Sequence, residues 1–107
     1  MNFEVEVTFY FKKQAKRLAK KYPSLSSELR QLISSLEKSP TQGTMIGRGC
    51  CKIRSIASKS KGKSGGGRVI THLQVSKNTV YLLSIYDKSE MESITPSDLS
   101  ELLNLIP

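Results

Sequence analysis

Two apolar stripes at helical spacing, separated by one proline corner, constrain this chain more than anything else in it. Phe11, Ala15, Leu18, Ala19 and Tyr22 form the first, and Leu25, Leu29, Leu32, Ile33 and Leu36 the second. Residues spaced this way share one face of an α-helix, and each face must be buried against another element. Pro23 cannot continue the first helix, and Ser24 can cap the second. The two therefore form a hairpin, which stops where Pro40 and Gly43 break the spacing. Lys12, Lys13, Lys16, Arg17, Lys20 and Lys21 ring the outside of the first helix.

The remaining regular segments alternate with period two. Asn2 to Thr8 sets Phe3, Val5 and Val7 against Glu4 and Glu6, a half-buried strand whose polar face suits a sheet edge. Three more strands are predicted at about Cys51 to Ser58, Arg68 to Val75 and Thr79 to Tyr86. Ser76-Lys77-Asn78 is a tight connection that makes the last two an antiparallel hairpin. Segment Lys59 to Gly67 lacks periodicity and is rich in glycine, so it reads as a mobile loop. Thr95 caps a short final helix with Pro96 in its first turn and Leu99, Leu102 and Leu103 on one face. The order predicts a small α+β domain, residues 1–107, with its helices packed on one sheet face. At 107 residues a single domain buries roughly 60 to 70% of its unfolded surface, enough for a core without staples.

Charge is distributed unevenly. The net charge is +8, and from Lys38 to Tyr86 there are nine Lys or Arg and no Asp or Glu. Acids return from Asp87 onward, so one region is positive and the C-terminal end acidic. Phosphate-rich partners are favoured, because neutralising a phosphate releases condensed counterions and the overall field speeds encounter. Cys50 and Cys51 are adjacent, cannot close a useful loop and lack metal-ligand spacing, which fits a reducing cytosol. No apolar run approaches the ~20 residues of a membrane span, and no export signal is visible at the start.

Strand alternation puts Lys52, Arg54 and Ile56 on one face of their strand and Arg68, Ile70 and His72 on one face of theirs. Neighbouring strands would let Arg54 and Arg68 converge on one phosphate, with Lys61 or Lys63 reaching in from the loop; Arg supplies a planar fork and Lys a movable charge. The glycines at 65–67 follow the lysines, so this is no Walker-type phosphate loop. His72 has no evident carboxylate partner, no pair of acids suggests metal chemistry, and no Ser or Cys sits in a nucleophile motif. Metal-free RNA cleavage is compatible with that inventory, since the substrate brings its own 2′-hydroxyl and the protein need only align it, stabilise charge and move protons. A lysine crowded by cations could act as base, and Tyr86 could stack on a base or donate a proton. Against this stand plainer readings: a solvated lysine loop, Arg54 or Arg68 paired to Glu90 or Glu92, His72 as an ordinary strand residue, and Cys51, Tyr22 and Tyr81 as packing.

Lys52-Ile53-Arg54, the run Lys61-Gly62-Lys63-Ser64-Gly65-Gly66-Gly67-Arg68-Val69-Ile70, and Tyr81-Leu82-Leu83-Ser84-Ile85-Tyr86-Asp87-Lys88-Ser89-Glu90 together resemble the RelE/HigB branch of the RelE/ParE superfamily of bacterial type II toxins. The resemblance is closest to the HigB-like subgroup and covers nearly the whole chain. It implies a RelE-like fold and a cytoplasmic, metal-independent endoribonuclease without cofactor that cuts mRNA in the ribosomal A site and so inhibits translation. It also implies as partners the ribosome, mRNA and a neutralising cognate antitoxin, with no membrane and a monomeric toxin.

Position by position, Lys52 and Arg54 match the basic pair of the second strand in RelE-type toxins, Arg68 the arginine opening the next strand, Lys61 and Lys63 the subgroup's basic loop, and Tyr86 and Lys88 the end of the last strand. RelE carries a further arginine and tyrosine after that strand, where this chain has Glu90 and Ile94. Proton transfer is therefore not assigned by likeness, and Lys52, Lys63 and Tyr86 are its candidates. The implied catalytic set is Lys52, Arg54, Lys63, Arg68, Tyr86 and Lys88; Lys59, Lys61, Lys12, Lys13, Lys16 and Lys20 are candidate RNA contacts. ParE toxins share the fold and poison DNA gyrase but lack the basic cluster, so the nuclease branch is favoured. A gyrase-directed toxin and a non-catalytic nucleic-acid-binding module are the alternatives.

Overall fold

The chain runs β1 (Glu4–Val7), α1 (Phe9–Ala19), α2 (Leu25–Lys38), β2 (Thr44–Gly47), β3 (Cys50–Ile56), β4 (Gly67–Gln74), β5 (Thr79–Asp87) and α3 (Pro96–Leu103). The computed structural model describes residues 2–56, 66–91 and 93–107, with only the backbone of Ser55 and Ile56. The strands form one sheet in the order β1-β5-β4-β3-β2. β1 runs parallel to β5 and lies at an edge, as its alternating Glu4 and Glu6 require. β3, β4 and β5 are the expected antiparallel run.

β2 was not foreseen. Gly47, Arg48 and Gly49 take φ of +94°, +56° and +75°, a left-handed stretch that turns β2 back onto β3. Its four residues are too short for the alternation that marks the other strands. The β4–β5 connection is a 3-10 turn, Val75–Lys77, closed by Asn78 at φ +50°, a conformation that asparagine tolerates.

Helix ends follow local chemistry, with one exception. The Thr8 hydroxyl accepts the Phe11 N–H at 3.2 Å and donates to the Leu82 carbonyl at 3.0 Å, tying the start of α1 to β5. Thr95 and Asp98 exchange bonds of 3.0 and 3.2 Å as a capping box ahead of α3, worth about 1 kcal/mol. Ser24 sits at the cap position of α2, but its hydroxyl donates to Glu28 at 2.9 Å and caps no backbone N–H.

The expectation of helices on one sheet face is corrected by the core. Phe11, Leu18, Leu25, Leu32 and Leu36 of the hairpin pack on Ile53, Val69, Val80, Leu82 and Ile85. Leu99 and Leu102 of α3 pack with Cys50, Ile70, Tyr81, Leu83 and Tyr86, from the opposite face. The sheet is thus sandwiched, and β5 is buried along its whole length. A fully buried Leu82 stabilises by roughly 1.5–3 kcal/mol through area removed from water.

Two irregularities re-aim side chains. In β5 the register passes from Ile70↔Ser84 to Thr71↔Leu82, leaving Leu83 extra. In β3 it passes from Ile53↔Val69 to Ile56↔Gly67, one residue more on β3 than on β4. Each bulge changes which face later residues occupy. Strict alternation would put Tyr86 beside Leu82 under the hairpin; the β5 bulge puts it with Tyr81 and Leu83 instead.

Candidate functional site

The α3 face of the sheet collects the basic residues. Lys52 pairs with Ile70 and Arg68 with Tyr86, and Ile70 and Tyr86 both belong to that face. Alternation along β3 and β4 places Lys52, Arg54 and Arg68 there together, with Arg54 where the β3 bulge begins. Arg54 and Arg68 thus lie on one side of the sheet. They differ in exposure: Arg54 is exposed, while Arg68 is 3% exposed and its Nη1 donates to the Gly67 carbonyl at 3.2 Å. Arg68 is thus enclosed and Arg54 stands at the solvent-exposed rim of the sheet face, rather than the two forming equally open forks. Glu90 meets Arg17 at 3.3 Å; Glu92, the other acid considered, lies outside the described residues.

Lys52 is half-buried and lines a hollow of about 190 Å³ with Arg48, Ile94, Pro96 and Leu99. Arg48 was not foreseen as part of this surface. Its Nη1 donates to the Ser100 hydroxyl at 2.6 Å, joining the β2–β3 turn to α3; a lone arginine between two turn glycines was the available signal. Lys88 is half-buried just beyond β5, and its N–H donates to the Gly66 carbonyl at 3.0 Å. Lys59, Lys61 and Lys63, with the loop reading that contained them, lie outside the described residues.

Tyr86 is 4% exposed, and among the described residues its hydroxyl has no hydrogen-bond partner. Burial pushes the phenol above its ordinary range, partly opposed by the charge of Arg68. It is therefore a neutral donor at physiological pH, suited to giving a proton or a hydrogen bond and not to taking a proton as phenolate.

Across the sheet, under the hairpin, Asp87 is fully buried. Lys21 Nζ donates to Oδ2 at 2.6 Å and the Tyr22 hydroxyl at 2.9 Å; the Ser89 N–H and hydroxyl donate to Oδ1 at 3.0 and 2.8 Å. Burial works to raise the carboxyl's pKa, but these bonds, Lys21's first, outweigh it and hold it well below the carboxylate range. The bond to Asp87 raises Lys21, whose ammonium also sits 5.5 Å from the Tyr22 ring centroid. Burial, followed by the bond to Asp87, raises Tyr22. Tyr22, expected as packing, is thus also a polar anchor. Asp87 carried no signal beyond closing the apolar run of β5.

Lys12, Lys13, Lys16 and Lys20 are all exposed on α1. Lys13, Lys16 and Lys20 line one shallow concavity with Arg17, and Lys13 lies 5.7 Å from the Phe9 ring centroid. α1 covers the other sheet face, so these charges are separated from Arg54 and Arg68 by the sheet. His72 is half-buried with Nδ1 3.6 Å from the Cys50 sulfur. Both cysteines are free and buried, and burial pushes the Cys50 thiol up to about 11, which leaves it a poor nucleophile. Among the described residues no three His, Cys, Asp or Glu side chains come together, and no helix is long and apolar enough to cross a membrane.

Comparison with known proteins agrees with this architecture. The family described as the RelE toxin of the RelE/RelB toxin–antitoxin system matches residues 7–106. A double arginine-to-alanine mutant of E. coli toxin RelE in the free state superposes with a TM-score of 0.68 at 17% identity, covering 100% of both chains. A RelBE toxin–antitoxin complex from Mycobacterium tuberculosis gives 0.60 at 17% identity over 79% of this chain and 96% of that one. The intact E. coli RelBE complex gives 0.60 at 17% identity over 78% and 93%. At such identity the superpositions establish a shared fold.

Proposed function

The chain belongs to the RelE toxin family of RelE/RelB-type toxin–antitoxin systems, and from that premise we propose that it is a ribosome-dependent mRNA endonuclease acting in the A site. The supporting observation is the placement of Lys52, Arg54 and Arg68 on one sheet face with the buried, protonated Tyr86 hydroxyl opposite Arg68. Cleavage needs neither metal nor cofactor. The 2′-oxygen attacks the adjacent phosphorus in line, its proton passing to Lys52 or Lys63, and the phosphorus–O5′ bond breaks. Tyr86 or Lys52 returns a proton to the departing 5′-oxygen, and Lys88 adds positive charge beside it. Arg54 and Arg68 stabilise the charge that builds on the equatorial oxygens. The products are a 2′,3′-cyclic phosphate, which water can open to a 3′-phosphate, and a 5′-hydroxyl.

Binding and chemistry are divided between faces. The α1 lysines offer salt-sensitive contacts to ribosomal RNA, and the α3 face receives the messenger. A cognate antitoxin with an acidic segment would neutralise the toxin by covering the basic face or blocking ribosome entry; structural neighbours include toxin–antitoxin complexes.

Inducing the chain in a bacterial host and mapping transcript ends tests this reading. Breaks in phase with codons of translated messages are expected. A DNA-damage response with intact messages would instead indicate a gyrase poison, and neither effect a non-catalytic binding module.

A further inference from the structure

We infer that Asp87 is a positioning residue: a buried carboxylate that locks the end of β5 in the register presenting Tyr86, opposite Arg68, to the RNA face. The inference rests on the nuclease reading for its catalytic consequence, while the lock itself is a property of the fold.

Period two makes the end of β5 ambiguous. A one-residue slip exchanges the faces of Tyr86 and Asp87, and the extra residue at Leu83 already interrupts the ladder four positions before Asp87. α1 holds one end of this stretch and the turn that follows it the other. At the bulge, Gln14 Oε1 accepts the Ile85 N–H and the Ser84 hydroxyl, each at 3.1 Å. At the strand end, Lys21 and Tyr22 bond one Asp87 oxygen while Ser89 donates twice to the other. The main chain of Asp87 turns the strand, its carbonyl accepting the Glu90 and Met91 N–H groups at 2.9 and 3.0 Å. Its Cα pairs with Gly67, next to Arg68, and Arg17 holds Glu90 just beyond.

The Asp87 carboxylate is enclosed while the Lys21 side chain is 44% exposed; burying a charge costs stability unless it is paired and hydrogen-bonded, and the best-attested use of such a group is to fix register. Here the carboxylate finds four donors in this register; a one-residue slip would carry it to the opposite face and forfeit all four. Adjacent strand residues point to opposite faces, so anchoring Asp87 under the hairpin fixes the Tyr86 ring on the other side. An apolar residue at 87 would fill the same space without distinguishing the two registers.

Single-turnover cleavage on programmed ribosomes at saturating toxin, read beside ribosome affinity, tests the inference well below each variant's Tm. Asp87→Asn and Lys21→Met are expected to slow the saturated rate by about 10- to 100-fold with affinity within about twofold. Lys21→Arg, which keeps the ion pair, should recover most of the rate. A folded Asp87→Asn or Lys21→Met protein with wild-type rate overturns the inference, as does a loss confined to affinity. If Asp87→Asn does not fold, Lys21→Met decides. If the wild type leaves mRNA intact, the nuclease reading fails, and hydrogen exchange judges the lock alone: faster exchange of the Lys88 amide in Lys21→Met supports it, and unchanged protection refutes it.

Discussion

Arg68 and Tyr86 are directly paired in the β4–β5 ladder, and both side chains are buried on the face opposite the helical hairpin. A phenol enclosed without a partner among the described residues is costly, typically about 1–3 kcal/mol for an unsatisfied buried group. Beside a buried guanidinium it is a protonated donor with no hydrogen-bond acceptor among the described residues.

That cost leads to a paired expectation for Tyr86→Phe. The variant should gain about 1 kcal/mol of stability, raising Tm by roughly 5 °C, and lose at least about tenfold in cleavage rate. Thermal unfolding and a ribosome-programmed cleavage assay read the two effects separately. Unchanged activity would remove Tyr86 from the proton-transfer scheme.

The arginines should separate by exposure. Arg54→Ala, at the exposed rim, is expected to change stability by less than about 0.5 kcal/mol and to lower cleavage about 100-fold through the lost charge clamp. Arg68→Ala should abolish growth arrest and also reduce stability, because the side chain is buried. Arg68→Lys should not restore activity, since an ammonium lacks the planar fork. Growth curves with urea denaturation distinguish these outcomes.

Much of this layout was legible in the sequence, and what was missed has particular causes. The hairpin stripes, the β1 edge and the Thr95-Pro96 cap follow local rules that tertiary context did not override. Alternation also read Arg54 and Arg68 onto one side, and the register sets the β3 bulge that contains Arg54 against Arg68. Alternation could not place Tyr86, because a one-residue bulge at Leu83 reverses parity and leaves no composition signal. β2 escaped because four residues around a Gly-Arg-Gly turn are too few to show a period. Asp87 escaped because its partners, Lys21 and Tyr22, are distant in sequence and Lys21 looks like one more solvated lysine.

The depressed pKa of Asp87 predicts the direction of acid sensitivity. A carboxyl lowered in the folded state contributes stability that is complete above its unfolded value of about 4. That contribution is lost progressively as pH falls below it, toward the folded value. Denaturation from pH 7 to 2.5 should show the wild type losing stability over this range and Asp87→Asn losing less. Parallel curves would mean that the buried carboxylate is not ionised as its bonds require.

Charge removal on α1 should act on binding alone. Lys13→Ala, Lys16→Ala and Lys20→Ala combined are expected to weaken ribosome affinity and reduce the slope of log affinity against log salt by about 0.7–0.9 for each lost phosphate contact. The saturated cleavage rate should be unchanged, because these residues lie across the sheet from Arg54. A fall in that rate at saturation would place α1 in the chemistry.

The most direct measurement is end-group analysis of a defined messenger after incubation of purified protein with ribosomes holding a known codon in the A site, wild type beside Arg54→Ala. The account predicts one cut within that codon, leaving a 2′,3′-cyclic or 3′-phosphate and a 5′-hydroxyl, strongly reduced in the variant. An intact messenger with wild-type protein, or equal cutting by Arg54→Ala, would contradict it.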